Sequence, residues 1–311
     1  MGLEVINCPI CNSDKNEILF FTKDFRFKLT DDHFEIVKCK HCEFIFLNPR
    51  PIQNEIDNFY PIRFYKSGFS LYYKAFGLFF ELIQKPIIGS LKKYKRSGKL
   101  LDIGCGTGHF ISQMRLGDYD VYGIETSENA KNFIPDSLKN RIYDRNLEEC
   151  GFQENSFDII TIFQSLEHVH NLNRLLKEAK KILKPDGILY LSVPNYDFFE
   201  YRIFGPYAYT LDVPRHLYFF TKRSLRNLLL ENGFVIDRFI RNFIVELFIT
   251  PASIYHAVWN YFLDKHKLRN RILKLLSFTP LVMMGFLLHI LFISEGHILE
   301  VGCKKIFKKN E

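Results

Sequence analysis

The chain has 311 residues, 47% of them hydrophobic and 25% charged, with a net charge of +7. This composition excludes a disordered chain and leaves ample material for a core. The positive balance is modest and accompanies no recognisable nucleic-acid module; it allows attraction to an anionic membrane or substrate without demanding it, and nucleic acid is not an expected partner. The length suits one large domain with attachments. Met1 to Ile10 hold no apolar core of the length a signal peptide requires. The expectation is a cytoplasmic chain whose seven cysteines are reduced or metal-bound.

Two C-x-x-C knuckles come first, Cys8-Pro9-Ile10-Cys11 and Cys39-Lys40-His41-Cys42. Together they offer four thiolates, the ligand set of a tetrahedral zinc site. With all four positions occupied by Cys and none left for water, the zinc is expected to be structural. Glu35 to Lys38 and Phe44 to Phe46 can supply two strands of a ribbon, with His41 a surface residue. The competing reading is free or disulfide-bonded cysteines. Two prolines in Asn48-Pro49-Arg50-Pro51 close this module at residue 51. In residues 52–96, Tyr65, Phe69, Tyr72, Tyr73, Phe76, Phe79 and Phe80 recur at roughly helical spacing. They read as plain core packing or as a lid over a substrate mouth. Lys92 to Arg96 is a solvated basic helix end.

The central stretch is Leu100-Leu101-Asp102-Ile103-Gly104-Cys105-Gly106-Thr107-Gly108. An apolar strand runs into a glycine turn, and His109 to Arg115 can start a helix whose N-terminus faces the same ligand. Strand, turn and helix open a doubly wound nucleotide-binding domain. A dinucleotide fingerprint requires its third glycine at position 109, but the glycine falls at 108 and position 109 is His. A nicotinamide-dependent reductase therefore fails on spacing. About twenty residues on, the apolar run Val121 to Ile124 ends at Glu125. An acidic residue there can accept both ribose hydroxyls; its plain alternative is a solvated loop charge. Arg141-Ile142-Tyr143 is a weak third strand, and Ile159 to Phe163 reads as a strand buried on both faces. Gln164 to Val169 follows it. Asn173 to Leu183 forms an amphipathic helix, and Ile188 to Val193 the next strand.

The D-x-G-x-G-x-G turn resembles motif I of the class I S-adenosylmethionine (SAM)-dependent methyltransferases. Phe157-Asp158, Leu166-Glu167-His168-Val169, Leu183 to Gly187, Val193-Pro194-Asn195 and Val213-Pro214-Arg215-His216-Leu217 follow in order. That series is similar to the bacterial methyltransferases that carry an N-terminal zinc ribbon. The resemblance implies an α/β fold, a Rossmann-like seven-stranded sheet, with SAM held by Asp102, Gly104, Cys105, Gly106, Gly108 and Glu125. It places Asn146 at the adenine amino edge and Leu147 on the ring. Gln164, also at the cofactor, stands where relatives often carry His, and Asn146 where an acidic residue is more usual.

An oxygen or carbon nucleophile must lose a proton, and His suits that near neutral pH. His168, after the fourth strand, and His216 are the two candidates. Each has a structural alternative, a loop contact for His168 and a loop anchored by polar groups for His216. Arg215 beside it can grip a carboxylate or phosphate, or serve that same anchor.

Phe234 to Phe239 and His297 to Lys304 read as the last two strands, an antiparallel hairpin in this class. Residues 97–243 then form the methyltransferase core, 244–295 a helical insertion, and 296–311 the final strand and basic tail. In the insertion, the basic Asp264 to Arg271 precedes the apolar Leu276 to Ser294, near the length of a membrane span. An interfacial hairpin on the inner face of a membrane, a buried cap or dimer face, and a true span compete. The function expected is methyl transfer from SAM to an oxygen or carbon. The alternative is a non-catalytic SAM-binding or assembly protein acting through its ribbon.

Overall fold

The computed structural model describes residues 2–62, 73–266 and 296–306. The early strands are β1 Leu3–Glu4, β2 Asn16–Thr22, β3 Phe34–Cys39, β4 Ile45–Leu47 and β5 Arg50–Pro51. Then come β6 Gly98–Ile103, β7 Tyr119–Ile124, β8 Ile142–Tyr143, β9 Phe157–Phe163 and β10 Leu183–Pro194. The last are β11 Tyr218–Phe219, β12 Phe234–Ile240 and β13 Ile298–Lys305. The chain divides into two compact units. One comprises Met1–Phe59, Pro194–Ser224 and Phe243–Leu299, the other Tyr60–Val193, Leu225–Asn242 and Glu300–Glu311.

In the second unit the described strands make one sheet in the order β12-β13-β10-β9-β6-β7-β8. β6 pairs in parallel with β7 and β9, β7 with β8, and β9 with β10. The last pair, β12 and β13, is antiparallel. This is the doubly wound seven-stranded sheet that the resemblance implies. Its central strands carry continuous apolar runs, as strands buried on both faces do. Leu100, Leu101, Val121, Ile159, Ile160 and Ile162 are all fully buried. The helix Leu172–Ile182 forms for equally local reasons. Asn171 caps it by accepting from the Arg174 N–H at 3.0 Å. Leu172, Leu175, Leu176, Ala179 and Ile182 recur on one face and are buried.

The first unit carries the four cysteines. β2, β3 and β4 form an antiparallel meander. The sequence locates β3 and β4; β2 is an added strand. A further strand, β11, pairs antiparallel with β4. The helix Phe243–His266 also belongs to this unit, and its Ile254, Tyr255, Ala257 and Trp259 are buried. Glu200, fully buried, accepts the Tyr209 N–H at 2.6 Å and the hydroxyls of Thr210 and Ser253, which ties this helix to the segment before β11. The apolar run Leu276–Ser294 and the aromatic residues Tyr65, Phe69 and Tyr72 lie outside the described residues. Among the described residues, no helix is long and apolar enough to cross a membrane.

Candidate functional site

β6 carries Asp102 into the interior of the second unit. The Thr161 hydroxyl of neighbouring β9 donates to its carboxylate at 2.7 Å. Burial pushes the Asp102 carboxyl up to about 7; the Thr161 hydrogen bond opposes that rise and the nearby Glu125 charge adds to it. Immediately after β6 the backbone turns sharply. Gly104 and Cys105 both donate their N–H groups to the Ile124 carbonyl, at 2.8 and 3.0 Å.

Two glycines of the turn are required for different reasons. At Gly104 (φ 75°) a Cβ would fall on the side chain of Ser165. At Gly106 (φ 55°) a Cβ would meet nothing within 4 Å. The left-handed backbone favours glycine at both. Only at Gly106 does the missing Cβ leave an open cradle beside the chain. Glu125, at the end of β7, closes one side of that cradle. Its carboxylate accepts the Gly106 N–H at 2.8 Å and the Ser127 N–H at 2.8 Å. Two backbone donors orient the carboxylate, so Glu125 is held in place and is not a free loop charge.

The remaining predicted cofactor residues lie on turns of the same unit. Gly108 (φ 75°) is the N-cap of the helix His109–Arg115. Cys105 is buried. Asn146 donates its backbone N–H to Glu149 at 3.2 Å and opens the short turn Leu147–Glu149, with Leu147 buried. Gln164, at the end of β9, adopts φ 47°, an uncommon backbone for a residue with a side chain. Its N–H reaches the Ser192 carbonyl at 2.9 Å and its amide the Ser192 hydroxyl at 3.3 Å. These bonds hold Gln164 to β10 at the carboxyl end of the parallel strands, where such folds bind ligands.

His168 ends a single turn, Leu166–His168, whose Leu166 and Glu167 are fully buried. Its Nδ1 lies 2.9 Å from the Tyr60 hydroxyl. His216 belongs to the first unit. Its Nδ1 lies 2.9 Å from the Thr210 carbonyl, which can only accept, so Nδ1 carries a proton there. Nε2 stands 4.0 Å from Asp212 Oδ2.

Arg215 resolves in favour of the anchor. It is fully buried, and its guanidinium donates to Asp24 and Asp212, both at 2.7 Å, and to the Phe59 carbonyl at 3.2 Å. Burial alone would raise the Asp212 carboxyl, but Arg26, Arg215 and His216 hold it well below the usual carboxylate range. An arginine so enclosed has no fork left to grip a ligand.

The four N-terminal cysteines converge. Sγ of Cys8 lies 3.4 Å from Sγ of Cys42, and Sγ of Cys11 lies 3.5 Å from Sγ of Cys39. All four sulfurs fall within 4.8 Å of one another. The His41 N–H donates to Cys39 Sγ at 3.4 Å, which makes the second knuckle a sulfur-centred turn. Four mutually close thiols are a donor set that can hold one metal ion.

Sequence reasoning passed over Thr161, Ser165 and Tyr60. Thr161 had a signal, as the only hydroxyl within the apolar run Ile159–Phe163. Ser165 and Tyr60 had none, because their roles depend on Gly104 and His168, which are distant in sequence from one or the other.

A family model described as a methyltransferase domain matches residues 77–238. An uncharacterized protein of Methanocaldococcus jannaschii is 34% identical over 134 residues, 40% of this chain and 57% of that protein. A ubiquinone biosynthesis O-methyltransferase of Coxiella burnetii is 33% identical over 117 residues, 36% of this chain and 47% of its own length. The chain thus spans about half the length of these curated relatives. Among solved structures, a Burkholderia thailandensis 1,6-didemethyltoxoflavin-N1-methyltransferase aligns at 15% identity and TM-score 0.49, over 86% of this chain and 98% of that one.

Proposed function

Because the chain belongs to the methyltransferase-domain family, whose model covers just over half of it, we propose that it is a SAM-dependent methyltransferase. We infer further that its acceptor is an oxygen or carbon of a small-molecule, glycan or lipid-linked compound. The observation that carries the cofactor assignment is the open cradle at Gly106 with the Glu125 carboxylate fixed at its edge. The likeness to an O-methyltransferase supports an oxygen acceptor.

SAM, when bound, supplies a methyl group already activated by its sulfonium. The residues that would hold it are those of the turn, Asp102, Gly104, Cys105, Gly106 and Gly108, together with Glu125 for the ribose hydroxyls. Asn146 would offer the adenine a polar edge and Gln164 a contact at the end of β9, while Leu147, buried in this structure, would back the adenine loop from within. Asp102 acts from beneath, bonded to Thr161, as a support of the turn. Holding the reactants in line and excluding water can contribute roughly 7–11 kcal/mol to such a reaction.

His168 and His216 are the candidates for taking the acceptor's proton. The Thr210 carbonyl keeps a proton of His216 on Nδ1, so a proton taken from the acceptor would go to Nε2, which faces Asp212 Oδ2 at 4.0 Å. The cysteine cluster Cys8, Cys11, Cys39 and Cys42 is assigned to a structural zinc, since no ligand position is left for water. The insertion 244–295 is assigned to peripheral contact with a membrane, on the strength of its adjoining basic and apolar stretches.

Calorimetric titration with SAM and S-adenosylhomocysteine tests the central reading. Wild-type protein should bind in the micromolar range (~8 kcal/mol). Gly106→Val should abolish binding by filling the cradle and straining the backbone. Equal binding by both proteins would remove the assignment.

A further inference from the structure

Tyr60 lies at the start of the second unit, outside the sheet and outside the glycine turn. Its side chain and its backbone bond to different partners. Its side-chain hydroxyl lies 2.9 Å from Nδ1 of His168, and the two rings meet edge to face with centroids 5.9 Å apart. Its backbone carbonyl accepts from Nδ2 of Asn129 at 3.1 Å. Asn129 belongs to the short helix Glu128–Lys131, whose N-cap is Ser127. The Ser127 N–H in turn donates to Glu125, whose other carboxylate oxygen takes the Gly106 N–H. Hydrogen bonds, with the backbone from Ser127 to Asn129 between them, therefore link the Gly106 turn and Glu125 to Tyr60 and His168.

We propose that Tyr60 is a positioning residue for His168 and that it couples the ring's orientation to occupation of the Glu125 cradle. The proposal rests on the methyltransferase reading above. Its physical basis is the geometry at His168. The turn that carries the ring is anchored by the buried Leu166 and Glu167, and the Tyr60 hydroxyl stands at Nδ1 of the imidazole. A partner at Nδ1 restricts the ring's rotation and favours one tautomer over the other.

A phenol suits this task because its oxygen can both donate and accept. When Nδ1–H donates to Oη of Tyr60, the Nε2 lone pair is available to take a proton from the acceptor. The proton then resides on Nε2, and the resulting imidazolium keeps donating Nδ1–H to the same oxygen. The ring accordingly changes charge without losing its orientation. The backbone link through Asn129 means that any movement of the turn after Glu125 on cofactor binding is transmitted to Tyr60.

The test is ¹⁵N NMR of the histidine rings in the full-length protein, with and without S-adenosylhomocysteine; the probe avoids any need for a known acceptor. The His168 signals are assigned by their loss in His168→Gln. In wild type, the two ring nitrogens should report one dominant tautomer, and addition of S-adenosylhomocysteine should shift them. In Tyr60→Phe, which keeps the ring and removes only the hydroxyl, the two signals should move toward the tautomer average. Its affinity for S-adenosylhomocysteine should stay within about threefold of wild type, under 0.7 kcal/mol by the tenfold rule, while the ligand-induced shift at His168 is lost. Asn129→Ala should keep the dominant tautomer but weaken the ligand-induced shift. Unchanged His168 signals in Tyr60→Phe, with and without ligand, overturn the proposal even if the variant binds normally. If wild type binds no S-adenosylhomocysteine, the cofactor reading fails instead, and the tautomer comparison without ligand still decides whether Tyr60 orients the ring.

Discussion

The carboxylate of Glu125 accepts the backbone N–H of Gly106 at 2.8 Å, so the acid at the tip of one strand holds the turn at the end of its neighbour. The bond links two features that the sequence shows separately. Replacing Glu125 by Ala should therefore damage both the ribose contact and the shape of the turn. A hydrogen bond to a charged group contributes about 1.5–3 kcal/mol, so SAM affinity should fall by about ten- to a hundredfold or more. Calorimetry checks this, with circular dichroism to confirm folding. An affinity within twofold of wild type would place the ribose elsewhere.

Asp102 gives a pH signature. Its folded-state carboxyl is raised to about 7 from 3.8, chiefly by burial. The native state thus holds its proton more tightly than the unfolded chain does. The stability this provides is fully present below the unfolded value and is lost as pH rises to about 7. Within that window the loss is at most about 1.4 kcal/mol per pH unit. Asp102→Asn keeps a neutral side chain at every pH, so its melting temperature should decline less than that of wild type between pH 5 and pH 8. Parallel pH dependence in the two proteins would show that Asp102 is already ionised in the native state.

Arg215 should behave as a structural cation. Its pairs with Asp24 and Asp212 are fully buried. Removing one partner of a buried pair leaves an uncompensated charge, at a cost of roughly 3–5 kcal/mol. Arg215→Met should lower the thermal midpoint by many degrees, and the double variant with Asp24→Asn should recover part of the loss. If Arg215→Met melts like wild type, the cluster contributes no net stability.

Protein purified without added metal should contain about one zinc per chain, as a closed four-thiolate site implies. Cys39→Ser should lose the metal and destabilise β3, whose last residue is Cys39. Plasma emission analysis gives the stoichiometry. A metal-free protein with an intact melting transition would assign the four cysteines to some other role.

The proposed membrane contact of residues 244–295 predicts salt-sensitive binding. Each basic residue near an anionic surface adds about 1 kcal/mol. Wild-type protein should sediment with anionic liposomes at low ionic strength and be released by salt. A protein that remains in the supernatant at all salt concentrations would leave the lipid-linked acceptor without support.

Much of the second unit was legible in the sequence because its signals are local. The runs Leu100 to Ile103 and Ile159 to Phe163 declare buried parallel strands by composition alone. The spacing of Gly104, Gly106 and Gly108 describes a turn whose backbone only glycine tolerates comfortably. Glu125 follows because the ends of adjacent parallel strands fall at the same edge of a sheet. The paired cysteine knuckles are equally local, since two residues between thiols bring both to one turn.

Tertiary structure decided what depends on distant partners. β11 has two residues and no periodicity of its own, yet Tyr218 pairs with Phe46 and its hydroxyl accepts from the buried Arg50 at 2.6 Å. Arg215 reads equally well as a ligand clamp or an anchor until Asp24, 191 residues away, is found against it. Gly104 needs to be glycine because of Ser165, and His168 has an oriented ring because of Tyr60. The sequence by itself determined the buried parallel strands of the second unit, the glycine turn and the thiol knuckles, whose causes lie within a few residues. Buried charge pairs and ring orientation were left to the folded molecule, because low-dielectric contacts between remote residues carry no repeating pattern along a chain.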